Sequence, residues 1–260
     1  PKIRFTIEKG KFTIKTVETG FELESVLRLR YDVFIREMLH KTLMFGIDID
    51  KFDFICDHIV IIDNKTDRYI GTYRVNCSAF SKLFYSGTEF DISAITRLPG
   101  VKLELGRACV HREYRNGVTL ALLWHGINEY CAQTGARYLF GCSSIKTTEF
   151  LEICMLYRHL KERFMAPPEM HVTPRKKFRI NYLDLFLHQL ESCNYDFESF
   201  GAERLIPPLV SSYLKSGAVI CGEPALDKAF ACTDFLTVLD LDGMSQRMSR
   251  KYTCRNESVA

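Results

Sequence analysis

No stretch of this 260-residue chain approaches the roughly 20 consecutive apolar residues that a helix needs to cross a bilayer. None of its 10 cysteines forms a CxxC pair or a Cys/His cluster at metal-ligand spacing, so no metal is expected. Regular close cysteine spacing and a signal-like start are also missing. The thiols are therefore expected to be reduced, mostly core residues of a cytoplasmic protein. The formal charge of +3 gives no strong overall field, and no recognition helix, finger or aromatic platform is evident, so no nucleic-acid partner is expected. There is no internal repeat. What is plentiful is core material: 47% apolar residues, with 19 Phe and 12 Tyr. That suffices for one elaborated domain, or for a smaller domain with a C-terminal addition.

Residues 3–16 alternate bulky and polar side chains around Gly10 and predict a hairpin. Leu23, Val26, Leu27, Arg30, Tyr31, Phe34 and Met38 recur at helical spacing and predict a helix over 22–39, begun near Thr19. An irregular segment with Asp48, Asp50, Asp53 and Asp57 follows. It lacks the ligand order of a calcium loop and reads either as a solvated acidic loop or as one that offers carboxylates to a cation. HIVIID and YIGTYRVNC around a polar turn predict a second hairpin. The segment 103–110 then predicts a strand, 118–135 a helix opened by Gly117, 136–143 a strand and 147–164 a helix, a mixed alpha/beta succession. Later, IPPLVSSYLKS predicts a helix stopped at Gly217, with terminal strands near 218–221 and 235–241.

The stretch 103–130 organises the rest. In LELGRACV, Glu104 and Arg107 interrupt a run that otherwise reads as buried strand, where charges are costly unless paired or used. The strand runs into Arg112, Arg115, Asn116, Gly117, Val118 and Thr119, a basic turn opening a helix, whose free amides suit phosphate. A second basic run, Arg175, Lys176, Lys177 and Arg179, reads either as a solvated face or as a docking patch for an acidic partner.

The order of elements resembles the acyltransferase branch of the GNAT fold. ELGRACVHREYRNG, followed by LIPPLVSSYLKSGAVICGEPALDKAFACTDFLTVLDL, resembles the bacterial ornithine-acyl-ACP N-acyltransferase group, also called hemolysin-like. That group is related to acyl-homoserine-lactone synthases and N-acyl amino acid synthases, and the likeness covers roughly residues 20 to 242. It implies a GNAT-like mixed central sheet flanked by helices over 1–165 and an extension over 166–246 that completes the acyl and substrate site; residues 247–260 are polar with few apolar side chains and read as a loose tail. It also implies transfer of a long fatty acyl chain from an acyl-carrier-protein thioester to the alpha-amine of an amino acid such as ornithine, with glycine and lysine as alternatives. The family's functional positions correspond to Arg30, to one or more of Asp48, Asp50 and Asp57, and to Arg74, Glu104 and Arg107. Residues 112–119 keep basic side chains and one glycine but not the full acetyl-CoA-binding pattern, which favours a pantetheine arm on a carrier protein while leaving acyl-CoA open as donor.

On this reading Glu104 is the general base, and Arg107 orients it or the substrate carboxylate. Arg74 and Arg30 grip the acceptor carboxylate, Asp57 positions the amine or Arg74, and Asp48 and Asp50 meet the acceptor's charge. The 112–119 turn takes the donor's phosphate, and 175–179 meets the carrier protein. A simple Glu104–Arg107 strand pair is the structural alternative. His58 and His111 are weaker candidates for the base, and an acyl-cysteine at Cys109 or Cys142 is disfavoured because neither has an evident His partner. A carrier-binding module without turnover is the competing class. Peripheral membrane contact through surface aromatics or residues 206–220 is the remaining expectation.

Overall fold

In the computed structural model residues 1–193 and 195–243 are described, and the expected tail at 247–260 lies outside them. In chain order the strands are β1 (Thr6–Lys9), β2 (Phe12–Thr16), β3 (Asp57–Asp63), β4 (Arg68–Cys77), β5 (Phe90–Asp91), β6 (Val101–Val110), β7 (Ala136–Ile145), β8 (Thr173–Pro174), β9 (Val219–Ile220), β10 (Ala225–Asp227) and β11 (Cys232–Asp240). The helices are α1 (Gly20–Arg30), α2 (Ser93–Thr96), α3 (Gly117–Thr134), α4 (Phe150–Phe164), α5 (Leu183–Ser192), α6 (Phe197–Phe200) and α7 (Pro208–Lys215). Two compact units result, one of residues 1–84 with 100–137, the other of 85–99 with 138–243. This division differs from the expected boundary at residue 165, because α4 shares its core with the elements that follow it.

In the first unit β1, β2, β3, β4 and β6 form an antiparallel sheet in that order. Successive residues of a strand face opposite sides, and β3 uses both. Val60 packs with Val17 and Val26 of the α1 side, while Ile59 meets α3 at Gly126. A Cβ at Gly126 would stand 2.6 Å from Ile59 Cγ2, so glycine sets the spacing between helix and sheet. Thr19 starts α1 with a reciprocal cap, accepting from the Glu22 amide while the Glu22 carboxylate accepts from the Thr19 amide. The helix continues to Met38 as expected, but residues 31–38 widen into π-helical turns. Asn116 caps α3, and Gly135 closes it with φ 64°.

One irregularity shapes the site. Thr72 of β4 pairs with Cys109, yet Arg74 pairs with Gly106, so Tyr73 alone spans both Arg107 and Ala108. Arg107 has φ 50°. This β-bulge turns a side chain that strict alternation would send toward α3 onto the α1 face, alongside Arg74.

In the second unit β7, β11 and β10 run antiparallel in that order, β9 joins β11, and β5 pairs with β8. Ile153, Leu156, Tyr157 and Leu160 of α4 pack with Leu183, Leu187, Val210, Leu214, Ile220 and Phe235. Nine cysteines fall among the described residues, and all nine are free thiols. No helix of the described residues is long and apolar enough to cross a membrane.

Candidate active site

Three arginines and three aspartates alternate in a closed ring on the α1 face of the first unit. Arg30 reaches Asp48 at 2.7 Å and Asp53 at 2.6 Å. Arg74 reaches Asp53 at 3.0 Å and Asp50 at 2.7 Å. Arg107 closes the circuit at 3.1 Å from Asp50 and 3.6 Å from Asp48. Each carboxylate thus bridges two guanidiniums, and each guanidinium two carboxylates. Such mutual pairing is what permits six charges to be largely buried.

The acidic loop folds for this purpose. Asp50 caps a short 3-10 turn over Lys51–Phe54 and accepts from the Phe52 amide, while Asp53 accepts from the Asp50 amide at 2.7 Å. The Asp48 amide donates to Leu27 O of α1. Burial alone would raise the Asp53 carboxyl, but the Arg30 hydrogen bond and the charges of Arg30 and Arg74 bring it down to about 2. Arg74 lies over the Phe52 ring, 5.6 Å from its centroid. Asp53 is the member that sequence reading left out of the site. The Asp50–x–x–Asp53 capping spacing was the available clue.

Glu104 is buried on β6 opposite Asn76, two residues from Arg74 on β4, and so shares the α1 face with the ring. Cys56 is close enough to feel it: burial, opposed by Arg74 and reinforced by Glu104, pushes the Cys56 thiol up to about 12. The accessible side of the ring is Asp50 and Arg107, whose side chains are 24% and 14% exposed, against 0% for Arg30 and Asp53.

Several expected roles change. Arg30 is enclosed by Asp48 and Asp53 and anchors the loop rather than gripping a substrate. Asp57 stands on the opposite face of β3, accepting from the Lys2 and Ile3 amides and from the Tyr130 hydroxyl at 3.0 Å, so it fastens the N-terminal segment to α3 and has no place beside Arg74. His58 is buried against Asp53 at 3.7 Å with neither ring nitrogen hydrogen-bonded, and burial lowers it to about 4, leaving it neutral. Cys109 packs among Leu29 and Val33, and burial pushes its thiol up to about 12, which leaves little thiolate for attack.

At the basic turn Arg115 holds Glu37 with both guanidinium nitrogens, one at 2.7 Å, and donates to Val110 O. Arg112 is exposed and forms no ion pair among the described residues. Asn116 Oδ1 caps the Thr119 amide at 3.0 Å, Thr119 is itself buried, and Val118 is exposed. Arg112 and the Gly117–Val118 edge are therefore the parts of this turn open to an anion. In the second unit Arg175, Lys176, Lys177 and Arg179 line a groove of about 440 Å³ with Thr173, Pro174 and the single carboxylate Asp91.

Residues 29–125 match the Acetyltransferase (GNAT) domain model, a span that contains every member of the ring, Glu104 and the basic turn. The chain is 30% identical to an L-ornithine N(alpha)-acyltransferase of Brucella abortus (strain 2308), over 94% of this chain and 89% of that protein. It is 31% identical to an L-ornithine N(alpha)-acyltransferase of Rhizobium meliloti (strain 1021), over 92% of this chain and 83% of the relative. An N-acyl amino acid synthase from uncultured soil microbes superimposes with a TM-score of 0.49 at 9% identity, covering 90% of this chain and 93% of that one.

Proposed function

Because the chain belongs to the GNAT-domain acyltransferase family that includes the L-ornithine N(alpha)-acyltransferases, we propose that it moves a long acyl group from a pantetheine thioester on acyl carrier protein to the alpha-amine of ornithine or a close analogue. The supporting observation is the buried carboxylate of Glu104 on the same sheet face as the Arg–Asp ring, beside a bulged strand.

The acceptor's ammonium first loses one proton to solvent. The neutral nitrogen bonds to the thioester carbonyl carbon, the second proton passes to Glu104, and collapse of the tetrahedral intermediate breaks the C–S bond. That proton then leaves with the pantetheine sulfur as a thiol. A bulge takes one residue out of the hydrogen-bond ladder, which makes the backbone at 107–108 the preferred donor to the oxyanion. Arg107 and Asp50 meet the acceptor's carboxylate and ammonium, while Arg30, Asp48, Asp53 and Arg74 hold them. Arg112 and the start of α3 take the donor's phosphate.

Mass spectrometry after incubation with acyl-ACP, acyl-CoA and an amino acid panel tests this directly. N-acylornithine formed from acyl-ACP is the expected product. Absence of any amide with either donor would leave a carrier-binding module in its place. The basic groove supplies the carrier contact. Reversing charge in a Lys176→Glu, Lys177→Glu double variant is expected to raise KM for acyl-ACP about tenfold at low salt, with a smaller effect at high salt. An equal rise for acyl-CoA would assign the groove to the pantetheine donor itself.

A further inference from the structure

Between the first helix and the ring, the chain of the first unit doubles back as a strap along the helix it has just left. The Lys41 amide donates to Ile35 O at 2.9 Å, the Leu43 amide to the Tyr31 hydroxyl at 3.4 Å, and the Asp48 amide to Leu27 O at 3.1 Å. Midway the strap turns sharply. The Gly46 amide donates to Leu43 O at 3.2 Å, and Gly46 takes φ 61°. A Cβ on Gly46 would stand 3.6 Å from Arg28 Nη1 and 3.9 Å from Tyr31 Cε1, so this end of the turn rests on the helix.

The two corner positions of the turn belong to Met44 and Phe45, which are 91% and 76% exposed, and Leu43 before them is exposed as well. Turn corners ordinarily carry Gly, Pro, Asn, Asp or Ser, and three consecutive apolar side chains in water gain nothing for the fold. Positive charge brackets the run. Lys41 and Lys51 are exposed, and neither forms an ion pair among the described residues, Lys51 lying over the Phe52 ring at 5.3 Å. The exposed acids of this helix are already held by arginines: Glu24 by Arg28 at 2.7 Å, Asp32 by Arg36 at 2.9 Å, and Glu37 by Arg115. The charge of the two lysines is therefore left uncancelled.

We propose that the 43–46 turn, with Lys41 and Lys51 on either side of it, seats the protein on an anionic lipid bilayer, Met44 and Phe45 entering the acyl boundary while the two ammonium groups meet lipid phosphates. A narrow apolar knob between basic side chains suits that partner. A stable protein contact needs a face of about 800 Å² on each side, whereas a bilayer interface accepts single apolar side chains and adds attraction for each cation near its surface. With two apolar residues and two lysines the attachment is reversible and needs both contributions. The strap runs directly into Asp48 and Asp50 of the ring. On the acyltransferase reading the product carries a long acyl chain, and a bilayer at this edge receives it; the binding itself does not depend on that reading.

Vesicle flotation without acyl donor or acceptor tests the surface. Wild type is expected to float with vesicles of equal parts phosphatidylglycerol and phosphatidylcholine, and to bind about tenfold less to phosphatidylcholine alone or at high salt. A Met44→Ser, Phe45→Ser double variant is expected to lower binding to the mixed vesicles about thirtyfold, and Lys41→Gln with Lys51→Gln about tenfold, the latter loss vanishing at high salt. A second measurement uses Phe45→Trp, whose emission should shift to the blue and be quenched by brominated lipid, against the fixed background of the buried Trp124. Wild type that does not float, serine variants that bind as wild type does, or an emission that vesicles leave unmoved would each overturn the proposal. So would a dimer that the serine variant breaks in protein that does not float, which assigns the turn to a second copy, or an emission shift caused by acyl-ACP but not by vesicles, which assigns it to the acyl chain. Flotation in protein that acylates no amino acid would sink the acyltransferase reading and leave this surface standing.

Discussion

Asp53→Asn is expected to cost about 3–5 kcal/mol of stability, because it leaves Arg30 and Arg74 buried with only part of their compensating charge. Denaturant unfolding at pH 7 measures the loss. The pH dependence identifies its origin. In the folded protein Asp53 titrates near 2, below the usual carboxylate value near 3.8. Its ionised form therefore contributes about 2–3 kcal/mol above pH 4, a contribution that disappears as pH falls through 2. The gap between wild type and variant should narrow by about 1 kcal/mol on going from pH 7 to pH 3. A loss below 1 kcal/mol at pH 7, or a gap that stays constant with pH, would show that the ring is not held by this carboxylate.

The second large effect concerns turnover. Glu104→Gln keeps the size and hydrogen-bonding shape of the side chain but removes its basicity. It is expected to reduce kcat by about 10² to 10⁴, the usual range for a positioned acid–base group. The melting temperature should move by only a few degrees. Single-turnover acyl transfer at near wild-type rate would remove Glu104 from the chemistry. By contrast, Cys109→Ala should leave that rate nearly unchanged, since the thiol is buried in an apolar cluster.

Much of the architecture was legible because local rules and tertiary packing agree. Alternation around Gly10 and across 58–77, the helical spacing from Leu23 to Met38 and the apolar face of residues 150–160 each predicted the element that forms. The site was legible only in outline. LELGRACV carries the right charges, but a continuous strand pattern gives no sign of the extra residue at 107–108, and that bulge decides which face Arg107 occupies. Asp57 and His58 are neighbours in sequence and end on opposite faces of β3, so nearness in the chain misassigned Asp57. Arg115 looked like a phosphate ligand because its partner Glu37 lies 78 residues away.

The ring of alternating charges has a consequence for how the chain reaches its native pairing. Its members come from the end of α1, the loop after it, β4 and β6, so the circuit closes only after all four have assembled. If β6 zipped up from the Glu104–Asn76 pair without its bulge, Arg107 would point to the other side, and Asp48 and Asp50 would each be short of one cation. A slipped strand is thereby penalised electrostatically as well as by misplaced apolar side chains. The same residues that hold the acidic loop thus discriminate against an alternative alignment, doing for strand choice what a complementary key profile does for a lock.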